Sequence, residues 1–168
     1  LTLKNVNIHD NKVSQASFYA GMEGEEGQVE LRIEDSDFSR NYATDGGGGA
    51  LVLENIPLVK IINTTFSSDS SKNGGGAINS WNTDSLFIDN STFDGNIALE
   101  GNGGAISLSG DENSTHRYYD IRNTTISQNV AGAWGGAINS NNSTIVIDSS
   151  IFNNNESGLS GGVMNSNG

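Results

Sequence analysis

Several residue types are scarce in this 168-residue chain, and each scarcity excludes a class of structure or function. Cysteine is absent, which excludes disulfide frameworks and thiolate metal sites. Lys and Arg number 8 against 20 Asp and Glu, and they are too scattered to follow the phosphates of a nucleic acid. No apolar run approaches the roughly 20 residues of a membrane-spanning helix. We therefore expect no nucleic-acid partner and no membrane insertion by this segment.

Glycine, in contrast, is plentiful and recurs within one short word. GGAINS occurs at 75–80 and again at 135–140, and the related GGAISL begins at Gly103. These words lack the Lys-Ser/Thr of a P-loop, so they do not predict a phosphate site. The positions that follow the glycine pairs lie about 26 to 32 residues apart, a period typical of solenoids: Ala50, Ala77, Ala105, Ala137 and Val163.

A second word lies between these anchors and is written six times. It reads apolar-x-apolar-x-polar-x-x-Phe/Ile-x-x-Asn, as in LFIDNSTFDGN from Leu86. Period-two alternation with β-branched and aromatic residues indicates short, half-buried strands. Three columns of the aligned words are apolar in every repeat: Leu1, Leu31, Val59, Leu86, Tyr119 and Ile145; Leu3, Ile33, Ile61, Ile88, Ile121 and Ile147; Ile8, Phe38, Phe66, Phe93, Ile126 and Phe152.

The connectors are short and rich in Gly, Ser and Asn, so they cannot supply the amphipathic helix of a βαβ unit. The sequence therefore predicts an all-β, right-handed parallel β-helix of about six coils, with three short strands per coil. We expect residues 1–168 to form a single domain. Because apolar core columns begin at Leu1, we further expect an excerpt of a longer solenoid or a subunit that stacks end to end.

A polar column follows the aromatic column by three residues. Asparagine tolerates left-handed backbone and bonds to backbone groups, so we predict a structural ladder at the corners of the coils. Its members are Asn11, Asn41, Asp69, Asn96, Asn129 and Asn155.

The pairing of GGA-type words (GGALVL, GGAINS, GGAISL, GGVMNS) with FSRN, FDGN and FNNN resembles the repeats of the chlamydial polymorphic outer-membrane protein family. The likeness covers nearly the whole chain, although FSSD and ISQN depart from the motif. The resemblance implies an autotransporter whose β-helical passenger lies outside the cell and adheres to other surfaces.

One repeat carries about five extra residues, within 109–119. Insertions in solenoids map to loops on one face, which is often the binding face. His116, Arg117 and Tyr118 supply aromatic and cationic groups of the kind that interfaces enrich. They form our candidate binding loop, and a tolerated surface loop is the alternative.

Enzymes also use this architecture, so carboxylates on the outer face need attention. Asp89 and Asp148 would lie two coils, or roughly 9.6 Å, apart. That distance is at the edge of the separation for an inverting glycosidase. Arg122 falls between them, which favours a cross-coil charge ladder instead. Acidic loops at 23–26 and 111–112 could bind a cation weakly through carboxylate oxygens, or could simply be solvated.

These patterns together predict a non-catalytic extracellular or cell-surface protein, an adhesin or autotransporter passenger segment. We assign no catalytic residue, metal ligand or cofactor. The expected partner is a protein or glycan on another surface, or another β-helix stacked end to end. The alternatives are a polysaccharide-active lyase or glycosidase and a structural subunit of an extracellular fibre.

Overall fold

The computed structural model describes residues 1–22, 29–111 and 117–167. The strands of these residues pair in parallel into four sheets of six strands each. Every sheet takes each fourth strand along the chain, so four successive strands form one coil and six coils stack. The predicted parallel β-solenoid of about six coils is confirmed. Its right-handed sense stays a prediction.

The first sheet contains the longest strands, and it begins each coil. Its strands are β1 (Thr2–Lys4), β5 (Glu30–Glu34), β9 (Leu58–Ile62), β13 (Ser85–Asp89), β17 (Arg117–Arg122) and β21 (Ser143–Asp148). The second sheet carries the aromatic column. Its strands are β2 (Asn7–His9), β6 (Asp37–Ser39), β10 (Thr65–Ser67), β14 (Thr92–Asp94), β18 (Thr125–Ser127) and β22 (Ile151–Asn153).

The third sheet follows the polar ladder. Its strands are β3 (Lys12–Val13), β7 (Tyr42–Ala43), β11 (Ser70–Ser71), β15 (Ile97–Ala98), β19 (Val130–Ala131) and β23 (Glu156–Ser157). The fourth sheet follows the glycine-rich words. Its strands are β4 (Phe18–Gly21), β8 (Leu51–Glu54), β12 (Ile78–Trp81), β16 (Ile106–Ser109), β20 (Ile138–Asn141) and β24 (Met164–Asn167).

The third sheet corrects the sequence-based expectation of three strands per coil, because each coil has four. Its strands are only two residues long, as in Tyr42–Ala43, and two residues cannot display an alternating pattern. They also lie next to Gly- and Ser-rich connectors, whose composition indicates loop. These pairs become strands because the coils above and below supply backbone partners, as Ala43 does for Ser71.

Left-handed residues turn the chain at the corners between sheets. One set, between the first and second sheets, is Asn5, Asp35, Asn63, Asn90, Asn123 and Ser149. A second set, between the second and third sheets, is Asp10, Arg40, Ser68, Gly95, Gln128 and Asn154. The φ angles of the two sets lie between 48° and 63°. The second set directly precedes the predicted ladder. The expectation that ladder residues themselves adopt the left-handed conformation is therefore wrong by one position.

Inward-facing columns fill the interior. Leu31, Val59 and Leu86 are stacked in register on the first sheet, and each is at most 1% exposed. Tyr119 continues their column in the next coil and donates a hydrogen bond from its hydroxyl to the Thr83 carbonyl at 3.2 Å. Burial raises the pKa of Tyr119 to about 12. A polar ring thus fits this column because its hydroxyl finds a backbone partner.

Glycine pairs form the bend before the fourth sheet. Gly103 has φ of +68°, and a Cβ on Gly104 would lie 2.1 Å from the Gly136 carbonyl oxygen of the next coil. Backbone therefore approaches backbone too closely here for any side chain. The residue pair after the bend, Ala105 and Ile106, points into the core with no exposed surface. This explains the repeated GGA words as structural elements.

Candidate binding face

Outward side chains of the first sheet form three columns whose register follows from the strand pairing. The central column runs Arg32, Lys60, Phe87, Asp120, Val146. A second column runs Glu34, Ile62, Asp89, Arg122, Asp148. The predicted alignment of these strands is confirmed residue by residue. In the middle of the sheet, the outward groups combine aromatic, cationic and acidic side chains.

Two aromatic rings lie on neighbouring strands of this face. Phe87 on β13 and Tyr118 on β17 have ring centroids 6.1 Å apart and planes tilted by 51°. Both residues alternate with buried neighbours, Leu86 and Ile88 around Phe87, so the pleat directs the rings outward. The two rings form a half-buried apolar surface on this face.

An ion pair borders the rings. Arg122 Nε donates to Asp120 Oδ1 at 2.8 Å, and both residues lie on β17 with side chains on the same side. The Arg122 side chain is 50% exposed, whereas that of Asp120 is 8% exposed. The hydrogen bond to Asp120 raises the pKa of the Arg122 guanidinium. The guanidinium is thus held in place while half of it still faces solvent.

Phe87, Asp120 and Arg122 border a shallow depression of about 290 Å³. Its lining consists of Lys60, Ile62, Phe87, Ile88, Asp89, Asp120 and Arg122. We use the term candidate face for Lys60, Phe87, Tyr118, Asp120 and Arg122. Sequence reasoning missed Phe87 as a functional candidate. The available signal was an aromatic residue at an outward position of the alternating pattern.

The acidic pair considered for catalysis is arranged differently from the expected charge ladder. Arg122 lies between Asp89 and Asp148 in register, as predicted. Its ion pair, however, is made with Asp120 on its own strand. Asp89 accepts a hydrogen bond from Asn123 Nδ2 at 2.8 Å, and Asp148 accepts one from Ser149 Oγ at 3.0 Å. Each of the two carboxylates is therefore hydrogen-bonded to a different corner residue.

Two members of the candidate binding loop, Arg117 and Tyr118, are among the described residues. His116 lies outside the described residues, as do Glu23, Glu25, Glu26 and Glu112 of the acidic loops. Tyr118 is part of the candidate face. Binding by this loop stays a prediction, and Tyr118 is the member that the structure presents at the surface.

Arg117 is 1% exposed, so it does not offer its charge to a partner. The alternation of side chains along a strand explains this burial, because residues 117, 119 and 121 lie on the inward side of β17. Its Nη2 donates to Asn82 Oδ1 and to the Asp111 carbonyl, both at 2.9 Å. A Cβ at Gly110 would lie 2.1 Å from the Arg117 Cζ, so the guanidinium occupies space that only glycine leaves open. Arg117 thus anchors both sides of the insertion to the body of the solenoid.

The ladder residues are linked by hydrogen bonds from coil to coil. Asn96 Nδ2 donates to Asn129 Oδ1 at 2.9 Å and to the Phe66 carbonyl at 3.1 Å. Asn129 repeats this arrangement with Asn155 Oδ1 and the Phe93 carbonyl. Each amide oxygen also accepts from the backbone N–H of the preceding ladder residue, as Asn129 Oδ1 does from Asn96 N at 2.9 Å. Such rungs satisfy buried polar groups and are structural in character.

Residues 1–22, 29–111 and 117–167 contain no group of three or more His, Asp or Glu side chains that could hold a metal ion. Nor do these stretches contain a helix with the length and apolar character of a membrane span.

Comparison with known families identifies one coil. Residues 84–109 match the Chlamydia polymorphic membrane protein repeat. This coil is similar to that repeat. It extends from the residue before β13 to the end of β16, and it includes FDGN, the ladder residue Asn96 and a GGA word. Searches of curated proteins and of solved structures gave no match.

The repeat match confirms the resemblance inferred from the GGA and Phe-x-x-Asn words. It indicates a surface or outer-membrane protein of β-helical type. The matched coil also contains Phe87, which lies at the centre of the candidate face.

Proposed function

We propose that this chain is a non-catalytic β-helical segment of a cell-surface protein, an adhesin or autotransporter passenger, that binds a protein or glycan on another surface. The candidate face is the binding site in this proposal. The observation that carries it is the outward aromatic pair of Phe87 and Tyr118 beside the half-exposed Arg122 guanidinium.

The chemistry of the candidate face suits recognition. Aromatic rings and arginine are enriched at interfaces. Aromatic rings bury large areas with few rotatable bonds, and arginine offers several donors in one planar group. The two tilted rings offer an apolar surface, while Lys60, Asp120 and Arg122 offer donors and acceptors at its edge. Such a combination of apolar area with a few placed polar groups is typical of binding sites for sugars and peptides. The parallel sheet below holds these groups at fixed spacings, so little ordering is required on binding.

Absence of catalysis is the second part of the proposal. A two-carboxylate mechanism needs both acids aimed at one bond. Asp89 and Asp148 instead bond to Asn123 and Ser149. The Asp120–Arg122 pair occupies the strand between them.

Binding to immobilised glycans and to intact animal cells tests the proposal. The double variant Phe87→Ala/Tyr118→Ala should reduce binding at least tenfold, since both rings leave the contact surface. The matched control is Trp81→Ala, which removes a 44% exposed aromatic ring from the fourth sheet and should leave binding unchanged. Circular dichroism should show that both variants remain folded.

Two results would contradict the proposal. Equal binding by the wild type and the double variant would exclude the candidate face. Turnover of a polysaccharide by the wild type, lost in Asp89→Asn, would instead establish the enzyme alternative.

A further inference from the structure

Asp69 is an acid within a ladder otherwise made of asparagine. It stands where FSSD departs from the Phe-x-x-Asn motif, and it has no exposed surface. Its Oδ1 accepts hydrogen bonds from the backbone N–H of Asn41 at 2.9 Å and from Asn41 Nδ2 at 2.8 Å. Its own backbone N–H donates to Asn96 Oδ1 at 3.0 Å. One carboxyl oxygen therefore takes over the role of an asparagine amide oxygen.

The second carboxyl oxygen stands where the other rungs have an NH2 group. In Asn96 and Asn129 this group donates both to an aromatic-column carbonyl of the preceding coil and to the amide oxygen of the next rung. The repeat places the Phe38 carbonyl and Asn96 Oδ1 at the equivalent positions around Asp69. Both are acceptors, and Asp69 Oδ2 is buried without a hydrogen-bond partner. An ionised carboxylate there would present an acceptor to two acceptors.

We propose that Asp69 carries a proton on Oδ2 and donates it as an asparagine amide does in the other rungs, so that the third coil is a pH-sensitive point of the solenoid. Protonation converts Oδ2 from an acceptor into the donor that this position requires. Loss of the proton leaves a buried charge opposed to neighbouring lone pairs, which destabilises the folded state.

The charged side chains around Asp69 do not compensate for an ionised carboxylate at this position. Burial raises the pKa of Asp69 to about 7, against the opposing effect of the hydrogen bonds from Asn41. On the second coil, Asp37 raises this pKa and Arg40 lowers it, while Arg40 is held by Asp10 in bonds of 2.7 Å. Lys72 follows β11 on the same coil as Asp69, and its ammonium makes no ion pair among the described residues.

The neighbouring rung on the fourth coil is neutral Asn96. The nearest acid of β14, Asp94, accepts hydrogen bonds from Ser127 and Gln128. The environment therefore contains no cation bound directly to the Asp69 carboxylate.

The direction of the pH dependence follows from the raised pKa. In the unfolded chain an aspartate titrates near pH ~4. Between that pH and about 7, the folded state holds a proton that the unfolded state has released. The stabilisation is complete below pH ~4 and is lost as pH rises through about 7.

Chemical denaturation of the wild-type chain and of Asp69→Asn between pH 4.5 and 8.5 tests the proposal. Asparagine supplies the missing donor at every pH, so the two midpoints should agree at pH 4.5. The wild type should fall progressively below the variant up to about pH 7 to 8, with no further divergence above that range. Asp45→Asn, which removes an exposed carboxylate, is the matched control. The difference between its midpoint and that of the wild type should stay constant from pH 4.5 to 8.5. A constant offset between Asp69→Asn and the wild type across the whole range would overturn the proposal.

Isotope-edited NMR of the aspartate side-chain carbons gives a readout independent of stability. The folded wild type should show one aspartate signal that titrates near neutral pH and is missing from Asp69→Asn. If the signal lost in this variant belongs to a carboxylate already ionised at pH 5, the proposal is wrong.

Discussion

Phe38 and Phe66 stack on adjacent coils, with ring centroids 4.8 Å apart and planes 11° apart. Phe66 stacks in the same way on Phe93, at 4.8 Å and 6°. Centroid distances of 4.8 Å with near-parallel planes lie within the range of stacked aromatic pairs. In this fold the spacing of about 4.8 Å between paired strands puts like residues directly above one another. The backbone therefore imposes the stack, and Phe66 is its central ring.

Removal of the central ring should be costly. Phe66→Ala leaves a cavity between two rings that the strands cannot close, so we expect a loss of about 3 to 5 kcal/mol in the free energy of unfolding. Phe66→Ile should cost less, because Ile126 occupies the same column in the fifth coil. Denaturant titration measures both effects. Leu99→Ala, at a position 51% exposed, is the control and should cost about 1 kcal/mol or less.

The asparagine ladder makes a second prediction. Asn96→Ala leaves the Phe66 carbonyl and the backbone N–H of Asp69 without their side-chain partners, and should cost about 1 to 3 kcal/mol. Asn153→Ala, which changes an exposed strand residue, should cost about 0.5 kcal/mol or less. Thermal melting of the two variants compares them directly. Equal melting temperatures would show that the ladder bonds contribute no net stability.

Ser80 offers a prediction of opposite sign. It is fully buried in the fourth sheet, paired with Leu53 and Leu108, and its hydroxyl has no hydrogen-bond partner. Ser80→Ala removes an unsatisfied polar group, so stability should rise by about 0.5 to 1 kcal/mol. Ser140→Ala is the counterpart in the same column, and it should destabilise because it breaks the bond between Ser140 and Ser143. Denaturation midpoints that fall equally in both variants would contradict this account.

The close approach of Gly110 and Arg117 predicts that substitutions at these two positions have coupled effects on stability. Gly110→Ala forces a methyl group into the buried guanidinium and should cost about 1 to 3 kcal/mol. In the Arg117→Ala background the same change should cost much less, because the obstructing group is gone. A double-mutant cycle on unfolding free energies measures the difference, which we expect to be at least about 0.5 kcal/mol. If the two effects are strictly additive, the cost of Gly110→Ala does not come from a clash with Arg117.

Much of the fold follows from the repeat alone. Columns such as Phe38, Phe66 and Phe93 pair in the structure as the aligned words predict. A solenoid makes this possible, because each residue contacts its own equivalent in the neighbouring coil. The sequence could not reveal the two-residue third strand, which is too short to show a period. It also misplaced the left-handed corner by one residue, since Arg40, Ser68 and Gln128 share no side-chain type that would mark it.

Candidate site residues were harder to place. The insertion within 109–119 predicts a binding loop that includes Arg117, yet alternation along β17 directs this side chain inward. Phe87 lies at an outward position of the alternating pattern, but only the structure shows that its ring centroid is 6.1 Å from that of Tyr118. The partner of Arg122 could also be found only from the structure. Asp89 and Asp148 lie beside Arg122 on the neighbouring strands, and Asp120 lies two residues before it on the same strand. The ion pair is made with Asp120.

The amino-acid sequence by itself determined the architecture, the coil register and the position of the ladder, because these depend on a period and on a backbone spacing common to all parallel sheets. Tertiary structure decided which polar groups find partners. Asp69 and Asn96 occupy the same column, but one has a carboxyl oxygen without a donor and the other has both amide hydrogens bonded. That distinction arises from the orientation of individual lone pairs and hydrogens in the buried interior, which no periodic pattern encodes.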